Sequence, residues 1–219
     1  MRSFVLVPMM LVACGENPAD HTPAAEVVPA NAAPAPAPEA GPAPSNDAPA
    51  LAEGQSRLGG HIHFVGSNVR SSHTCRFDKW NGVMTPGEGG AVEALKLEFT
   101  ADVNSVFCDW ETKPDGVPKL EKHLRSDDFF HAEAHPEARF VSTTIEPAEG
   151  GDYKITGDFS LRGVTNTISF PAKIDMSEGK LNAHARFDIN RSDWGVEYKG
   201  AADNLIREEV VLDIKLEES

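Results

Sequence analysis

Beyond residue 60, apolar and polar residues alternate one for one through long runs, and that period of two commits the chain to β-structure. In Glu93–Val103, the residues Leu95, Leu97, Phe99, Ala101 and Val103 alternate with Lys96, Glu98, Thr100 and Asp102. Tyr153–Leu161 repeats the pattern, with Tyr153, Ile155, Gly157, Phe159 and Leu161 against Lys154, Thr156, Asp158 and Ser160. In Leu181–Ile189, Leu181, Ala183, Ala185, Phe187 and Ile189 face away from Asn182, His184, Arg186 and Asp188. Val210–Leu216 buries Val210, Leu212, Ile214 and Leu216. Each run predicts an antiparallel strand with one wet face. Weaker runs at His61–Val69, Cys75–Met84, Ala138–Ile145 and Thr167–Ile174 bring the total to eight. Eight such strands read as an all-β sandwich or barrel. A closed eight-stranded barrel has an interior that is either packed or just wide enough for one slender ligand. The small inward residues of Leu181-Ala183-Ala185 favour the second.

Two segments break the period. In Lys119–Phe130, Leu120 and Leu124 stand four apart, which predicts a short helix over one barrel mouth, ended before Pro136. Asn190–Gly195, with Trp194, predicts a second short excursion.

The N-terminal part is a different material. Arg2 precedes the short apolar run SFVLVPMMLVA, which predicts a secretory signal over residues 1–13 and is too short to span a bilayer. Leu11-Val12-Ala13-Cys14 resembles a bacterial lipobox, so Cys14 is the expected site of lipidation. Gly15 in place of an aspartate favours the outer membrane, by resemblance to bacterial sorting rules. Nine of the 16 prolines fall within residues 15–52, mixed with alanine. Residues 14–56 therefore read as the lipidated cysteine and a disordered Pro/Ala tether, whose stretch 15–52 would reach roughly 100 Å if straight, at about 3.1 Å per residue. Residues 57–219 form the domain.

The formal net charge is −14. Of 20 Lys+Arg and 34 Asp+Glu, all but Arg2 and six acids lie beyond residue 56, so the domain is itself acidic, with 19 bases against 28 acids. A phosphate backbone requires a basic face, so nucleic acid is excluded as a partner. With Cys14 assigned to lipid, Cys75 and Cys108 remain. In an exported protein they are expected to form a disulfide, with two separate buried thiols as the alternative.

No chemistry-bearing motif stands out. The chain lacks a Gly-Xaa-Ser-Xaa-Gly elbow, a phosphate loop and a His-Glu-Xaa-Xaa-His metal motif. His61, His63, His73, His123, His131, His135 and His184 read as surface or mouth histidines, with no metal site assigned. Arg125, Asp127 and Asp128, and Asn190-Arg191-Ser192-Asp193, read as structural pins. The expectation is a protein that is not an enzyme.

Three blocks carry a resemblance: HLRSDDFFHAEAHPEARFVST (His123–Thr143), YKITGDFSLRGVTNTISFP (Tyr153–Pro171) and INRSDWGV (Ile189–Val196). With the opening HIHFVGSNVRSSHTCRFDKWNG, they resemble the YceI-like family of bacterial envelope proteins across roughly Ile62–Leu216. Arg162 stands where that family often has a histidine, and Gly59-Gly60 replaces its usual Asp-Pro. The resemblance implies an eight-stranded antiparallel barrel of lipocalin type with one or two short helices, preceded here by the signal peptide and tether. It implies a non-catalytic function: binding a long polyisoprenoid, such as an isoprenoid quinone, in an apolar channel for transport, storage or stress response. No cofactor is expected beyond that lipid. The residues expected to line the channel are Ile62, Phe64, Phe77, Leu95, Leu97, Phe99, Phe129, Phe130, Phe140, Ile155, Phe159, Leu161, Phe170, Ala183, Phe187, Trp194, Leu212 and Ile214. The expected location is the cell envelope, lipid-anchored and facing the periplasm. The alternatives are a structural barrel without ligand and a metal- or haem-dependent redox protein.

Overall fold

The computed structural model describes residues 17–29, 50–176 and 179–219. The signal and lipidation expectations for residues 1–14, and the greater part of the Pro/Ala stretch, lie outside the described residues.

After a short strand β1 (Glu26–Pro29), the chain runs through β2 (Ser56–Ser67), β3 (Ser72–Phe77), β4 (Trp80–Thr85), β5 (Lys96–Asp102) and β6 (Val106–Cys108). Helix α1 (Pro118–Arg125) leads into β7 (Glu137–Pro147), β8 (Tyr153–Leu161), β9 (Val164–Asp175) and β10 (Asn182–Asn190). A small hairpin of β11 (Gly200–Ala201) and β12 (Asn204–Leu205) precedes the last strand, β13 (Glu209–Glu218). The strands lie in the order β13-β10-β9-β8-β7-β5-β4-β2, and β13 pairs back onto β2, which closes the ring. The expected eight-stranded antiparallel barrel is therefore what the chain forms.

The Cys75–Met84 run is recovered as two strands that act as one. β2 pairs with β4 at Leu58↔Gly82 and with β3 at His63↔Arg76, the register slipping by one residue across the break at Asp78-Lys79. Such a slip is a bulge, which bends the strand without ending it. β6 continues β5 in the same way and pairs with β3. Gly60 shows how tightly the ring closes. Its φ is +109°, and a Cβ there would lie 2.1 Å from the carbonyl oxygen of Lys215 on β13. Only glycine permits that approach.

Inward residues meet as alternation predicts: Leu97, Phe140, Ile168 and Phe187 are all essentially inaccessible. Helix α1 starts on Pro118, and Glu121 in its first turn is buried. Its Oε1 accepts from the backbone N–H of Val117 (2.9 Å) and of Cys108 (3.1 Å), so one carboxylate caps the helix and ties it to β6. The helix stops at Arg125, because the backbone N–H of Ser126 bonds the His123 carbonyl and that of Phe130 returns to Leu124. That turn drives Phe129 and Phe130 inward.

One sequence expectation is corrected here. Residues 17–29, expected as part of a disordered tether, pack on the barrel. β9 and β10 pair over only three residues, from Asn182↔Asp175 to His184↔Lys173, and then diverge. β1 occupies the resulting seam. It pairs antiparallel with β9 from Glu26↔Ser169 to Pro29↔Asn166, while Ala24 bridges Asp188 of β10 in parallel. The backbone N–H of Ala25 donates to Asp188 O (2.8 Å), and that of Asp188 donates to Pro23 O (3.0 Å). Thr22 Oγ1 bonds the Asp188 carboxylate (3.0 Å), and Lys154 pairs with Glu26 (2.8 Å). Asp188, on the outward side of the alternation, is only 7% exposed because this segment covers it. The physical reason for the correction is local. Within the Pro/Ala composition, Val27-Val28 is a β-branched pair that suits a vacant strand position.

Candidate functional site

Among the described residues, two chambers open inside the barrel. The upper one, toward α1 and the β10–β13 connection, has a volume of about 120 Å³. Apart from Arg191 and Arg207, its lining residues are apolar or glycine. Of the residues expected from sequence, Ile62 and Phe64 of β2, Phe77 of β3, Phe99 of β5 and Phe140 of β7 line it. So do Phe159 and Leu161 of β8, Phe170 of β9, Phe187 of β10, Leu212 and Ile214 of β13, and Phe129 and Phe130. Leu97, Ile155 and Ala183 instead line the lower chamber, of about 20 Å³, with Ala172, Ala185 and Leu216.

Two expected residues line neither chamber. Leu95 is buried at the turn entering β5. Trp194 is fully buried in the short 3-10 turn Arg191–Trp194. Its indole N–H donates to Phe159 O (3.0 Å) and its ring meets Phe159 edge-on at 5.2 Å. Trp194 thus supports the wall from behind, because a buried indole goes where its N–H finds an acceptor.

Sequence reasoning missed Gly66, Ala101, Leu124, Ala138, Ile168, Ile189, Arg191, Val196, Ile206, Arg207 and Val210. Ala101, Ile168 and Ile189 stand two residues from Phe99, Phe170 and Phe187 on the same faces, so the period of two pointed at them. Arg191, Val196, Ile206 and Arg207 lie outside the strands and carry no periodic signal.

Two aromatic clusters close the upper end. Phe64, Phe77 and Phe130 meet with centroids 5.4 to 6.0 Å apart. Outside them, Phe129, His123 and Tyr198 pack in T-shaped and tilted pairs at 4.8 to 5.5 Å, joining the helix to the β10–β13 connection. His123 Nε2 lies 2.8 Å from Asp128, and the Arg162 guanidinium donates to the carbonyls of Asp127 and Phe129. Arg191 is 5% exposed, and its guanidinium donates to the carbonyls of Arg207 (3.0 Å), Tyr198 (2.7 Å) and Val196. Asn190 Oδ1 accepts from the backbone N–H of Ser192 (3.0 Å). These charged clusters hold loops onto the barrel. Cys75 and Cys108 face each other across β3 and β6 and form a disulfide, two residues before Phe77.

The histidines lie mostly on the outer wall. His61 and His63 stack at 4.0 Å, and His63 packs on Trp110 at 4.7 Å. His61 and His184 both reach Asp213, at 3.7 and 3.0 Å. Burial raises the Asp213 pKa, but hydrogen bonds from His184 and Arg186 outweigh it and hold the carboxyl below its ordinary range. His131 and His135 stand four apart, a spacing the sequence reading passed over, with ring centroids 5.5 Å apart. Among the described residues, no three His, Cys, Asp or Glu side chains are arranged to hold a metal ion.

His63 is pushed down to about 4, chiefly by burial and then by the neighbouring His61, with Asp213 opposing. Its ordinary value is 6.5. Between these limits the unfolded chain binds a proton at this residue that the folded chain refuses. Folded-state stability is therefore complete above pH 6.5 and is lost as the pH falls toward about 4. Comparing melting temperatures at pH 7 and pH 4.5, His63→Gln is expected to lose less on acidification than the wild type. Equal losses would remove His63 as a cause.

A family model described as "YceI-like domain" matches residues 52–218. A UPF0312 protein of Shewanella denitrificans is 36% identical over 97 residues, covering 44% of this chain and 47% of that protein. Another, from Photorhabdus laumondii, is 48% identical over 60 residues, covering 27% and 30%. The chain thus spans less than half the length of these relatives. Among solved structures, Burkholderia cenocepacia BcnA superposes with a TM-score of 0.61 at 21% identity, over 72% of this chain and 96% of that one. A polyisoprenoid binding domain from Saccharophagus degradans superposes with a TM-score of 0.58 at 19% identity, over 76% and 98%. At such identities these two likenesses speak for the fold, whereas the family model spans most of the sequence: the chain belongs to the YceI-like family.

Proposed function

We propose that this protein is a non-catalytic carrier whose barrel takes up the tail of a long polyisoprenoid, such as an isoprenoid quinone or a related lipid. The observation that carries this reading is the upper chamber: about 120 Å³ inside a closed barrel, walled by aromatic and aliphatic side chains. A site of that kind rewards burial of hydrocarbon, at about 25 cal/mol per Å² of apolar surface, and asks nothing of a head group. Arg191 beside it supports the same reading, since its guanidinium is turned onto backbone carbonyls. The S. degradans neighbour, described as a polyisoprenoid binding domain, points the same way.

We further propose that the carrier is exported, that residues 1–13 are removed, and that Cys14 carries the lipid anchor on the periplasmic side of the envelope, at the outer membrane. The sequence Leu11-Val12-Ala13-Cys14-Gly15 supports this.

The test is mass spectrometry of an organic extract from the chain beginning at Gly15, exported through a cleavable leader and purified without detergent. Starting at Gly15 keeps the strand that fills the β9–β10 seam. A polyprenyl lipid in stoichiometric amount is the expected result. A clean extract from folded protein would leave the empty structural barrel as the better account.

A further inference from the structure

The two chambers share four walls: Phe99, Phe140, Phe170 and Ile214. Three of these are rings, with Phe140 in contact with both of the others. Phe99 stacks on Phe140 with centroids 5.1 Å apart, and Phe140 meets Phe170 at 5.6 Å. Phe170 in turn stacks on Phe187 at 4.0 Å. The four phenylalanines come from β5, β7, β9 and β10, so their rings form a shelf across the barrel. Phe140 reaches over β8 toward β9 because the inward position between them is Gly157. A Cβ there would lie 2.5 Å from Phe140 Cζ. The glycine is the gap into which the ring fits. Beneath the shelf the wall turns small, with Ala172, Ala183 and Ala185.

We infer that the Phe140 ring is the stop that sets how long an isoprenoid tail the barrel accepts; this rests on the carrier reading. A tail entering from the α1 end fills the upper chamber and meets the shelf. The lower chamber, about 20 Å³ with the ring in place, offers room for about one water-sized group. Further isoprene units gain apolar burial only if Phe140 turns aside and joins the two spaces. A shorter side chain at position 140 leaves them joined, and the alanines below give the tail somewhere to go.

The experiment offers the delipidated chain from Gly15 onward an equimolar ladder of linear prenols of increasing length. The protein is re-isolated, retained prenols are quantified by mass spectrometry, and melting temperatures confirm folding. The wild type is expected to show a length cutoff. Phe140→Leu is expected to move that cutoff at least one isoprene unit longer, enriching the first excluded prenol by about tenfold or more. Ala185→Phe, which fills the lower chamber, is expected to leave the wild-type cutoff unchanged and to restore it in the Phe140→Leu background. A folded Phe140→Leu protein with the wild-type cutoff overturns the stop. So does a shorter cutoff for Ala185→Phe alone, because tails would then already pass the shelf; that second comparison stands even where Phe140→Leu fails to fold. A wild type that retains no prenol of any length overturns the carrier reading itself.

Discussion

Ala138→Trp is expected to purify folded and empty of lipid. Ala138 on β7 lies opposite Ala101 on β5, and both face the upper chamber. An indole at position 138 projects into space that is already there. The usual penalty for overpacking a filled core, about 1–3 kcal/mol, is therefore an upper bound. The readout is the organic extract beside the melting curve: lipid content near zero, with a melting temperature within a few degrees of wild type. Unchanged lipid in a folded Ala138→Trp protein would mean that the ligand does not occupy this chamber. The same substitution at Ala183 is expected to leave the upper chamber open, because Ala183 borders the lower chamber, below the phenylalanine shelf.

The second large effect is on stability. Replacing both Cys75 and Cys108 with alanine frees a loop of 33 residues and is expected to destabilise the fold by about 3–4 kcal/mol. For a domain of this size that corresponds to a fall of roughly 10 °C in melting temperature. Both cysteines are inaccessible, so reductant should act on the native protein only slowly. The loop runs through β4, β5 and β6, so its release loosens the wall carrying Phe77 and Phe99. A double variant melting with the wild type would show that the hydrogen-bonded ladder alone holds that wall.

The fold was legible because each barrel strand alternates, and alternation survives interruption. Cys75–Met84 reads as one strand despite the bulge at Asp78-Lys79, since the register slips by a single residue. The large apolar walls were legible for the same reason. The division of the interior was not. It depends on Phe140 lying over Gly157, and no local pattern says which strand will neighbour which, or at what register. Small wall residues such as Ala138 were hidden too, because alternation marks a residue as inward without saying whether space lies in front of it. The packing of β1 was the least legible of all. Val27 pairs with Ile168, a partner 141 positions away, and the seam it fills exists only once β9 and β10 have diverged.

That seam strand changes how the barrel would be moored. Read as an uninterrupted tether, the Pro/Ala stretch would let the barrel roam the periplasm on a long leash. With Pro18–His21 packed against β13, only four residue steps separate Cys14, the proposed lipid anchor, from the barrel wall, a reach of about 14 Å. A barrel tied this closely would ride against the bilayer with the side that carries Pro18–His21 down. Lipid exchange would then be a matter between that barrel and the membrane beneath it, rather than a shuttle across the gap to another.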